Sequence, residues 1–272
     1  MTGHPVQVQV QVWWARLDDA RPALLTLLDP VERARYESTP DPAARGRFLV
    51  GCALGRLVLG RLLDLPPADV PLRRVCPRCG GPHGKPRLRT PPTGLSGEPQ
   101  ALDFSVTHSG RLVGVAVCRD GEVGLDVEES GPGTVVDVDS AARVALSAAE
   151  LAALRARPAG ERQSAFLRTW TRKEAVLKAL GTGLTVPLRE LEVSPPDRPP
   201  AVLTWPTPFQ PHSRPRMSLA DLLVENTHPA AVAVALREPS GSRPKDAGAE
   251  EDGVVIDVAA HDGTRTLATY AG

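Results

Sequence analysis

The sequence repeats part of itself about 118 residues further on, and this repeat restricts the fold more than any other feature. The matching segments occur in the same order in both parts of the chain: Asp29 with Ser147, Phe48-Leu49 with Phe166-Leu167, 70–73 with 186–189, and Thr107-His108 with Thr227-His228. One such match could arise by chance, but four in order indicate a duplicated unit of about 115 to 120 residues. The sequence therefore predicts an α+β fold with two pseudo-symmetric halves, 1–119 and 120–237.

Local patterns indicate what each half contains. Alternating Val and Gln over 6–12 predict a strand with one buried face, and 112–118 predicts another. Asp29 and Ser147 each precede a glutamate by three residues, which is the pattern of a helix start. Residues 45–63 predict a long helix. Each half is expected to be a small antiparallel sheet packed on a long helix, and a cleft between two such halves is a natural ligand site.

The chain becomes polar after Arg237, with the segment EPSGSRPKDAGAEEDG. Low hydrophobicity of this kind is typical of flexible segments. We therefore expect residues 238–272 to form a flexible C-terminal tail. Within it, 254–258 could form a short strand or stay unpacked, and the sequence leaves both open.

The charge balance excludes one class of function. The chain carries 32 Lys plus Arg and 32 Asp plus Glu, whereas a nonspecific nucleic-acid binder has a strong basic excess. The first residues, MTGHPVQVQVQVWW, lack the positive segment and continuous apolar core of a signal peptide. No apolar run approaches the roughly 18 residues of a membrane helix. We expect a cytoplasmic protein with reduced thiols and with neither nucleic acid nor membrane as a partner.

Two carboxylates lie close together on the strand predicted for GEVGLDVE, 121–128. Asp126 and Glu128 would project from one face, because side chains alternate along a strand. Two carboxylates at such a short distance repel each other unless a cation or a shared proton compensates their charge. Oxygen ligands suit a hard ion such as Mg²⁺. The alternative is a solvated strand edge whose acids face water.

A second group lies on the helix predicted within FLRTWTRKEAVLKALGTGL, 166–184, which ends at Gly181. Trp170, Glu174 and Lys178 recur every four residues and so form one stripe. The alternative interpretation is an ordinary surface Glu–Lys pair, which contributes little to stability.

Taken together, GLDVE and WTRKEAVLKALGTGL some 40 residues later resemble the 4'-phosphopantetheinyl transferases, which activate acyl and peptidyl carrier proteins. GKPRL at 84–88 and FSVTHS at 104–109 resemble two further motifs of the larger, monomeric, two-half (surfactin-synthetase-activating) class. The resemblance covers 29–237. It implies a monomeric transferase that uses coenzyme A as co-substrate and Mg²⁺, or alternatively Mn²⁺, as cofactor, and that releases 3',5'-ADP.

The resemblance also assigns roles to residues. Asp126, Glu128 and Glu174 would bind the metal, and Asp126, Glu174 and Lys178 would be catalytic. Glu174 would act as general base on the carrier serine, while Lys178 would stabilise the departing 3',5'-ADP. The remaining coenzyme A contacts would come from Arg47 on the 3'-phosphate and from Lys85, Pro86, Thr107 and His108. For Arg47 the alternative is a solvated helix arginine, and for His108 a turn histidine paired with a carbonyl.

The segment Cys76-Pro-Arg-Cys79 followed by His83 has the spacing of half a zinc site. No second CxxC exists, so a fourth ligand would have to come from a distant residue. The alternative is a tight loop with reduced or reversibly oxidised thiols that shapes one edge of the coenzyme A cleft. We favour the loop.

Two other functions fit the same acids. A coenzyme A or nucleotide pyrophosphatase would use water in place of the carrier serine, although the sequence lacks a hydrolase motif such as a Nudix box. A non-catalytic coenzyme A-binding module is the third alternative. For the transferase, the segment from Val135 through Val138 to Val144 is expected to dock the carrier protein, because it follows the metal strand in sequence.

Overall fold

The computed structural model describes residues 6–76, 78–89, 102–131, 137–209, 214–236 and 254–271. Its strands are β1 Val6–Arg16, β2 Leu72–Arg74, β3 Pro86–Leu88, β4 Asp103–Ser109, β5 Leu112–Cys118, β6 Gly121–Val127, β7 Glu192–Val193, β8 Val202–Thr204, β9 Met217–Val224, β10 His228–Leu236 and β11 Val254–Asp262. Its α-helices are α1 Pro30–Ser38, α2 Pro42–Leu63, α3 Val138–Ala145, α4 Ala148–Arg155, α5 Ala159–Leu180 and α6 Gly263–Ala271. The α+β fold predicted from the sequence is confirmed.

Two sheets form the centre of the molecule. The first has the strand order β11-β1-β5-β4, and the second has the order β6-β10-β9. All neighbouring pairs are antiparallel except β1 and β11, which run parallel. The first sheet thus differs from the predicted all-antiparallel arrangement at one edge. Helix α2 and the first sheet bury one apolar core, and α5 and the second sheet bury another.

Side chains, rather than backbone pairs, join β4 of the first sheet to β6 of the second. Every second residue of β4 places an oxygen against a backbone N–H of β6 or its extension: Val123 N donates to Asp103 Oδ2 at 2.8 Å, Leu125 N to Ser105 Oγ at 3.1 Å, Val127 N to Thr107 Oγ1 at 3.3 Å and Glu129 N to Ser109 Oγ at 3.0 Å. We refer to these four bonds as the side-chain ladder. Because strand side chains alternate, all four oxygens come from one face of β4.

Glycine permits the close approach of α5 to β6. A Cβ atom at Gly124 would lie 1.9 Å from the Ala175 carbonyl oxygen and 2.4 Å from the Ala179 backbone nitrogen. No other residue fits there without moving the helix. This glycine therefore sets the spacing at which side chains of α5 meet those of β6.

The two long helices carry a matching buried cation. Arg56 of α2 is 1% exposed and donates to Glu32 Oε2 and Asp29 Oδ2, each at 2.7 Å. Lys173 of α5, 117 positions later, is 0% exposed and donates to Glu150. Glu32 and Glu150 are the third-position glutamates of the helix starts predicted from the sequence, and both helix starts are confirmed as capping boxes. The internal repeat therefore includes a buried ion pair as well as a sequence pattern.

The structure corrects the expectation of a flexible tail over 238–272. Residues 254–262 form β11, and α6 buries Leu267, which is 2% exposed, in the core of the first half. The sequence feature that indicates this strand is the alternation of Val254, Ile256 and Val258, whose side chains pack between the sheets. Residues 237–253 lie outside the described part of the chain. None of the described helices is long and apolar enough to cross a membrane.

Candidate active site

The two strand acids lie where β6 meets the end of β4. Asp126 is buried, and its Oδ1 accepts hydrogen bonds from Lys178 Nζ at 2.6 Å and from Thr107 Oγ1 at 3.2 Å. Glu128 is half-buried, and its Oε2 accepts from Ser109 Oγ at 2.7 Å. The side-chain ladder thus brings hydroxyl donors of β4 directly to the acids of β6.

Helix α5 contributes the third acid and a lysine. Glu174 is half-buried, and Lys178 lies one helical turn further on. The Lys178 ammonium also donates to Thr107 Oγ1 and to the Leu125 carbonyl, each at 3.1 Å. The close approach of α5 to β6 at Gly124 places these side chains against the strand acids.

The electrostatics of the site favour a bound cation. Burial, together with the negative charges of Asp126 and Glu128, raises the pKa of Glu174 to about 7, although Lys178 opposes the shift. Burial also raises the pKa of Asp126 and of Glu128. Asp126 Oδ2 is buried, and no group in the described part of the chain forms a hydrogen bond with it. A buried carboxylate oxygen with no donor carries a free-energy cost that a positive ion would remove.

The three carboxylates are not gathered around a single point. Among the described residues, the group of His, Cys, Asp or Glu side chains close enough to share an ion is Cys76, Cys79 and His83, not the three acids. The Lys178 ammonium pairs with Asp126 Oδ1, at one of the three acids.

A cavity of about 560 Å³ opens beside Glu174 and is lined by α2, β3, β4, α5 and the loop that follows α5. Six basic side chains face it: Arg35, Arg47, Arg74, Arg78, Lys85 and Lys178. Glu174 is its single acidic lining residue among those described, and Phe48, Val106 and Leu177 supply apolar wall. Such a concentration of positive charge in a concave site attracts a polyanion.

Arg47 and His108 face this cavity together, as the resemblance implies. Arg47 is held in place by a bond from Nη1 to the Gly110 carbonyl at 3.0 Å. Burial lowers the pKa of His108, and the positive charges of Lys178 and Arg47 lower it further. The neutral imidazole is therefore favoured at this position, where it can donate one hydrogen bond.

The structure gives Lys85 contacts that the sequence did not predict. Its ammonium donates to Asp103, to the Val123 carbonyl at 2.9 Å and to the Ala179 carbonyl at 3.3 Å. These bonds connect β4, β6 and α5, and they use all three ammonium hydrogens. Burial lowers the pKa of Lys85. The coenzyme A contacts of Lys85 and Thr107 stay predictions. Pro86 lines the cavity.

Two groups of functional residues escaped the sequence analysis. Arg74 and Arg78 face the cavity, but arginines in an arginine-rich chain give no signal of their own. Ser109 bonds to Glu128, and the alternating oxygens of Asp103, Ser105, Thr107 and Ser109 could have indicated it. That alternation is a pattern of the strand face, so it was readable in principle.

Comparisons with known proteins converge on one family. A family model described as the 4'-phosphopantetheinyl transferase superfamily matches residues 122–233. The chain is 32% identical over 230 residues to 4'-phosphopantetheinyl transferase HetI of Nostoc sp., which covers 84% of this chain and 88% of that protein. It is 33% identical over 148 residues to 4'-phosphopantetheinyl transferase AcpT of Salmonella typhimurium, covering 54% and 65% of the two chains. It is 25% identical over 169 residues to 4'-phosphopantetheinyl transferase Sfp of Bacillus subtilis, covering 62% and 67%.

Proposed function

The chain belongs to the 4'-phosphopantetheinyl transferase superfamily, and from this membership we propose that it transfers 4'-phosphopantetheine from coenzyme A to a serine of an acyl or peptidyl carrier protein. The choice of donor rests on the cavity, which is lined by six basic side chains and one acid. Lys85 and Lys178 already form ion pairs with Asp103 and Asp126, so the four arginines supply most of the positive charge for a ligand. Coenzyme A has three phosphates, which suit such a cavity. The cavity extends between residues of the proposed halves 1–119 and 120–237.

Arginine and lysine have different parts in this proposal. Guanidinium groups donate two bonds to one phosphate, so Arg35, Arg47 and Arg74 are suited to the nucleotide phosphates. The Lys178 ammonium is a compact point charge one turn from Glu174. We assign it to the pyrophosphate, where it would neutralise the departing 3',5'-ADP. Its present bond to Asp126 supports this role, since the lysine already lies at the acids.

We propose Asp126, Glu128 and Glu174 as the ligands of a divalent ion, with Mg²⁺ favoured and Mn²⁺ as the alternative. Support comes from Asp126 Oδ2, which has no hydrogen-bond partner among the described residues, and from the raised pKa of all three acids, for which burial is the main cause. An all-oxygen ligand set suits a hard cation. Once bound, a divalent ion would neutralise charge on the phosphate oxygens and stabilise the leaving group. The three acids would bind the ion. Thr107 donates a hydrogen bond to Asp126 and Ser109 donates one to Glu128, which orients these two acids.

Glu174 is the proposed general base. In the metal-free site, burial and the neighbouring acids raise the pKa of Glu174 to about 7. A bound divalent ion would lower this pKa and favour the ionised form, which is the form that accepts a proton. Glu174 would accept the proton of the carrier serine as the serine oxygen attacks the β-phosphorus of coenzyme A. The new P–O bond forms a phosphodiester, while the bond to 3',5'-ADP breaks and the nucleotide leaves with the electron pair.

Mass spectrometry of the carrier protein tests the function. We expect a purified apo carrier protein, mixed with the chain, coenzyme A and Mg²⁺, to gain the mass of one phosphopantetheine unit, and the gain to disappear when EDTA is added. Cleavage of coenzyme A with no change in carrier mass would identify a pyrophosphatase instead. Binding of coenzyme A without turnover, across carriers of the fatty-acid, polyketide and peptide types, would identify a binding module.

Arg47→Ala is expected to weaken coenzyme A binding about tenfold, the loss of roughly one charge-assisted contact. If Arg47 binds the 3'-phosphate, affinity for dephospho-coenzyme A, which lacks that group, should not fall. Calorimetric titration with both ligands measures this difference. Arg45→Ala is the matched control, because Arg45 lies on the same helix and stacks on Tyr36 at 5.6 Å. Equal losses for both ligands would contradict the assignment.

The proposed carrier-docking segment is only partly described. Val135 lies outside the described residues, and Val138 packs against the core of the second half. Val144 of α3 is 72% exposed, which is unusual for valine, and it remains a candidate contact. We expect Val144→Asp to raise the KM for the carrier protein about tenfold, because a charge there would oppose an apolar partner. The KM for coenzyme A should not change.

Val255→Asp is the control for the docking test, since Val255 is also exposed but lies on β11. Steady-state kinetics with each substrate varied in turn give both constants. A Val144→Asp variant that raises both KM values equally, or neither, would contradict docking at α3.

A further inference from the structure

Three metal-ligating side chains cluster away from the acids, on the loop between β2 and β3. The ligand atoms of Cys76, Cys79 and His83 all lie within 4.8 Å of one another. Cys79 Sγ and His83 Nε2 are 3.0 Å apart. Cys79 and His83 are exposed and Cys76 is half-buried, so an ion can reach them from solvent. Neither the acids nor the proposed transfer reaction needs this cluster.

The separation of these atoms suits a tetrahedral zinc ion. Zinc binds thiolate at about 2.3 Å and imidazole at about 2.0–2.1 Å, which puts neighbouring ligand atoms about 3.5–3.8 Å apart. Atoms that already lie within 4.8 Å of one another need little movement to reach that geometry. Two sulfurs and one nitrogen are soft donors, which suit zinc and not magnesium.

The loop backbone is shaped as a turn around the first cysteine. Cys76 N donates to the Gly81 carbonyl and Gly80 N donates to the Cys76 carbonyl, each at 2.9 Å. Gly80 has φ +70°, a left-handed conformation that favours glycine. The thiolate is the form of cysteine that binds metal.

We propose that Cys76, Cys79 and His83 bind one zinc ion, with water in the fourth coordination position. Binding replaces the two thiol protons and involves no oxidation, so no further reactant is required. Within the described residues no additional His, Cys, Asp or Glu joins the cluster.

The zinc ion would fix one rim of the basic cavity. Cys76 and His83 line that cavity, and Arg74 and Arg78 flank the first cysteine. A metal-clamped turn would hold both arginines in position toward a bound polyanion, so zinc acts here as a positioning element. This consequence rests on the proposed function, whereas zinc binding itself does not.

Metal analysis of the purified full-length chain tests the site independently of activity. We expect about one zinc per chain in wild type after growth with zinc and purification under reducing conditions. Cys79→Ser and His83→Ala should each lose most of the zinc. Both residues are exposed, so these variants should fold, as unchanged melting of the metal-free proteins would verify. Cys118→Ala is the matched control, because Cys118 is a buried core thiol and should leave the zinc content unchanged.

Cobalt titration provides the second measurement. Metal-free wild type in reducing buffer should develop thiolate-to-cobalt charge-transfer absorption, and Cys79→Ser should lose much of it. Wild type that carries no zinc and gives no such absorption would overturn the proposal. A Cys76–Cys79 disulfide that persists in reducing buffer, detected as the loss of two hydrogens by mass spectrometry, would overturn it too.

The link to the cavity has its own readout. Cys79→Ser should raise the KM for coenzyme A about tenfold while kcat changes much less, because the loop carries none of the proposed catalytic residues. An unchanged KM with lost zinc would overturn the positioning role. If the chain transfers no phosphopantetheine at all, the zinc stoichiometry still decides whether the metal site exists.

Discussion

Glu174→Gln should reduce phosphopantetheine transfer by about 100- to 10,000-fold, the range that a general base typically contributes. Glutamine keeps the shape of the side chain but cannot accept the serine proton, and it provides a weaker metal ligand. Burial, together with the negative charges of Asp126 and Glu128, raises the pKa of Glu174 to about 7 in the metal-free protein. Single-turnover transfer to an apo carrier protein, followed by intact-protein mass spectrometry, measures the loss.

Glu161→Gln is the matched control for this variant, because Glu161 lies in the first turn of the same helix and is exposed. It should retain full activity.

The pH dependence of folding stability gives a second readout in metal-free protein. Since the folded pKa of Glu174 is raised from 4.5 to about 7, the folded state holds this proton more tightly than the unfolded state. Stability should therefore fall as pH rises between those values, and Glu174→Gln should flatten that fall. A variant with near wild-type turnover would exclude Glu174 as the base.

Arg56→Met should lower the free energy of unfolding by about 3 kcal/mol, since it removes the nearest cation from buried Glu32 and leaves only the more distant Arg74, at 3.8 Å. Arg56 donates to Glu32 and Asp29, and its Nη1 also reaches the carbonyls of Ala68 and Val70 at 3.1 and 3.2 Å. Methionine fills similar volume, so the loss would reflect polar groups left unpaired rather than a large cavity. Urea denaturation followed by circular dichroism measures the change.

Arg61→Met tests whether any arginine of α2 gives this effect. Arg61 lies in the last turn of that helix and is exposed, so its replacement should change stability by less than about 0.5 kcal/mol. In the double variant Arg56→Met with Glu32→Leu, the combined loss should be smaller than the sum of the single losses, because the buried acid is removed as well. Strict additivity would show that Arg56 and Glu32 do not interact.

The sequence predicted features whose physical cause is local or periodic. The capping boxes at Asp29 and Ser147, the strand β6 and the end of α5 before Gly181 are all read from neighbouring residues, and each is confirmed. The predicted alternation in β6 does not appear in its burial, because both faces of this strand are covered. The internal repeat predicted two long helices, and α2 and α5 each have 22 residues.

What escaped prediction depends on contacts between distant segments. The pairing of β11 with β1 brings together residues almost 250 positions apart, and the polar segment before β11 suggested a flexible tail instead. The hydrogen bonds of Lys178 and Lys85 were not predicted either. The spacing of the motifs indicates which residues lie near each other, but not which oxygen atom accepts a hydrogen bond from each ammonium group. Arg74 and Arg78 become visible as part of one cavity only when the chain is folded.

The side-chain ladder between β4 and β6 has a consequence for how the acids are oriented. Oxygens occur at every second position of β4, with Phe104, Val106 and His108 between them. A slip of one residue would bring the apolar Phe104 and Val106 to acceptor positions, at roughly 1–3 kcal/mol for each amide left without an acceptor. The ladder therefore fixes the register of the two sheets, and with it which hydroxyl group of β4 lies beside which acid of β6.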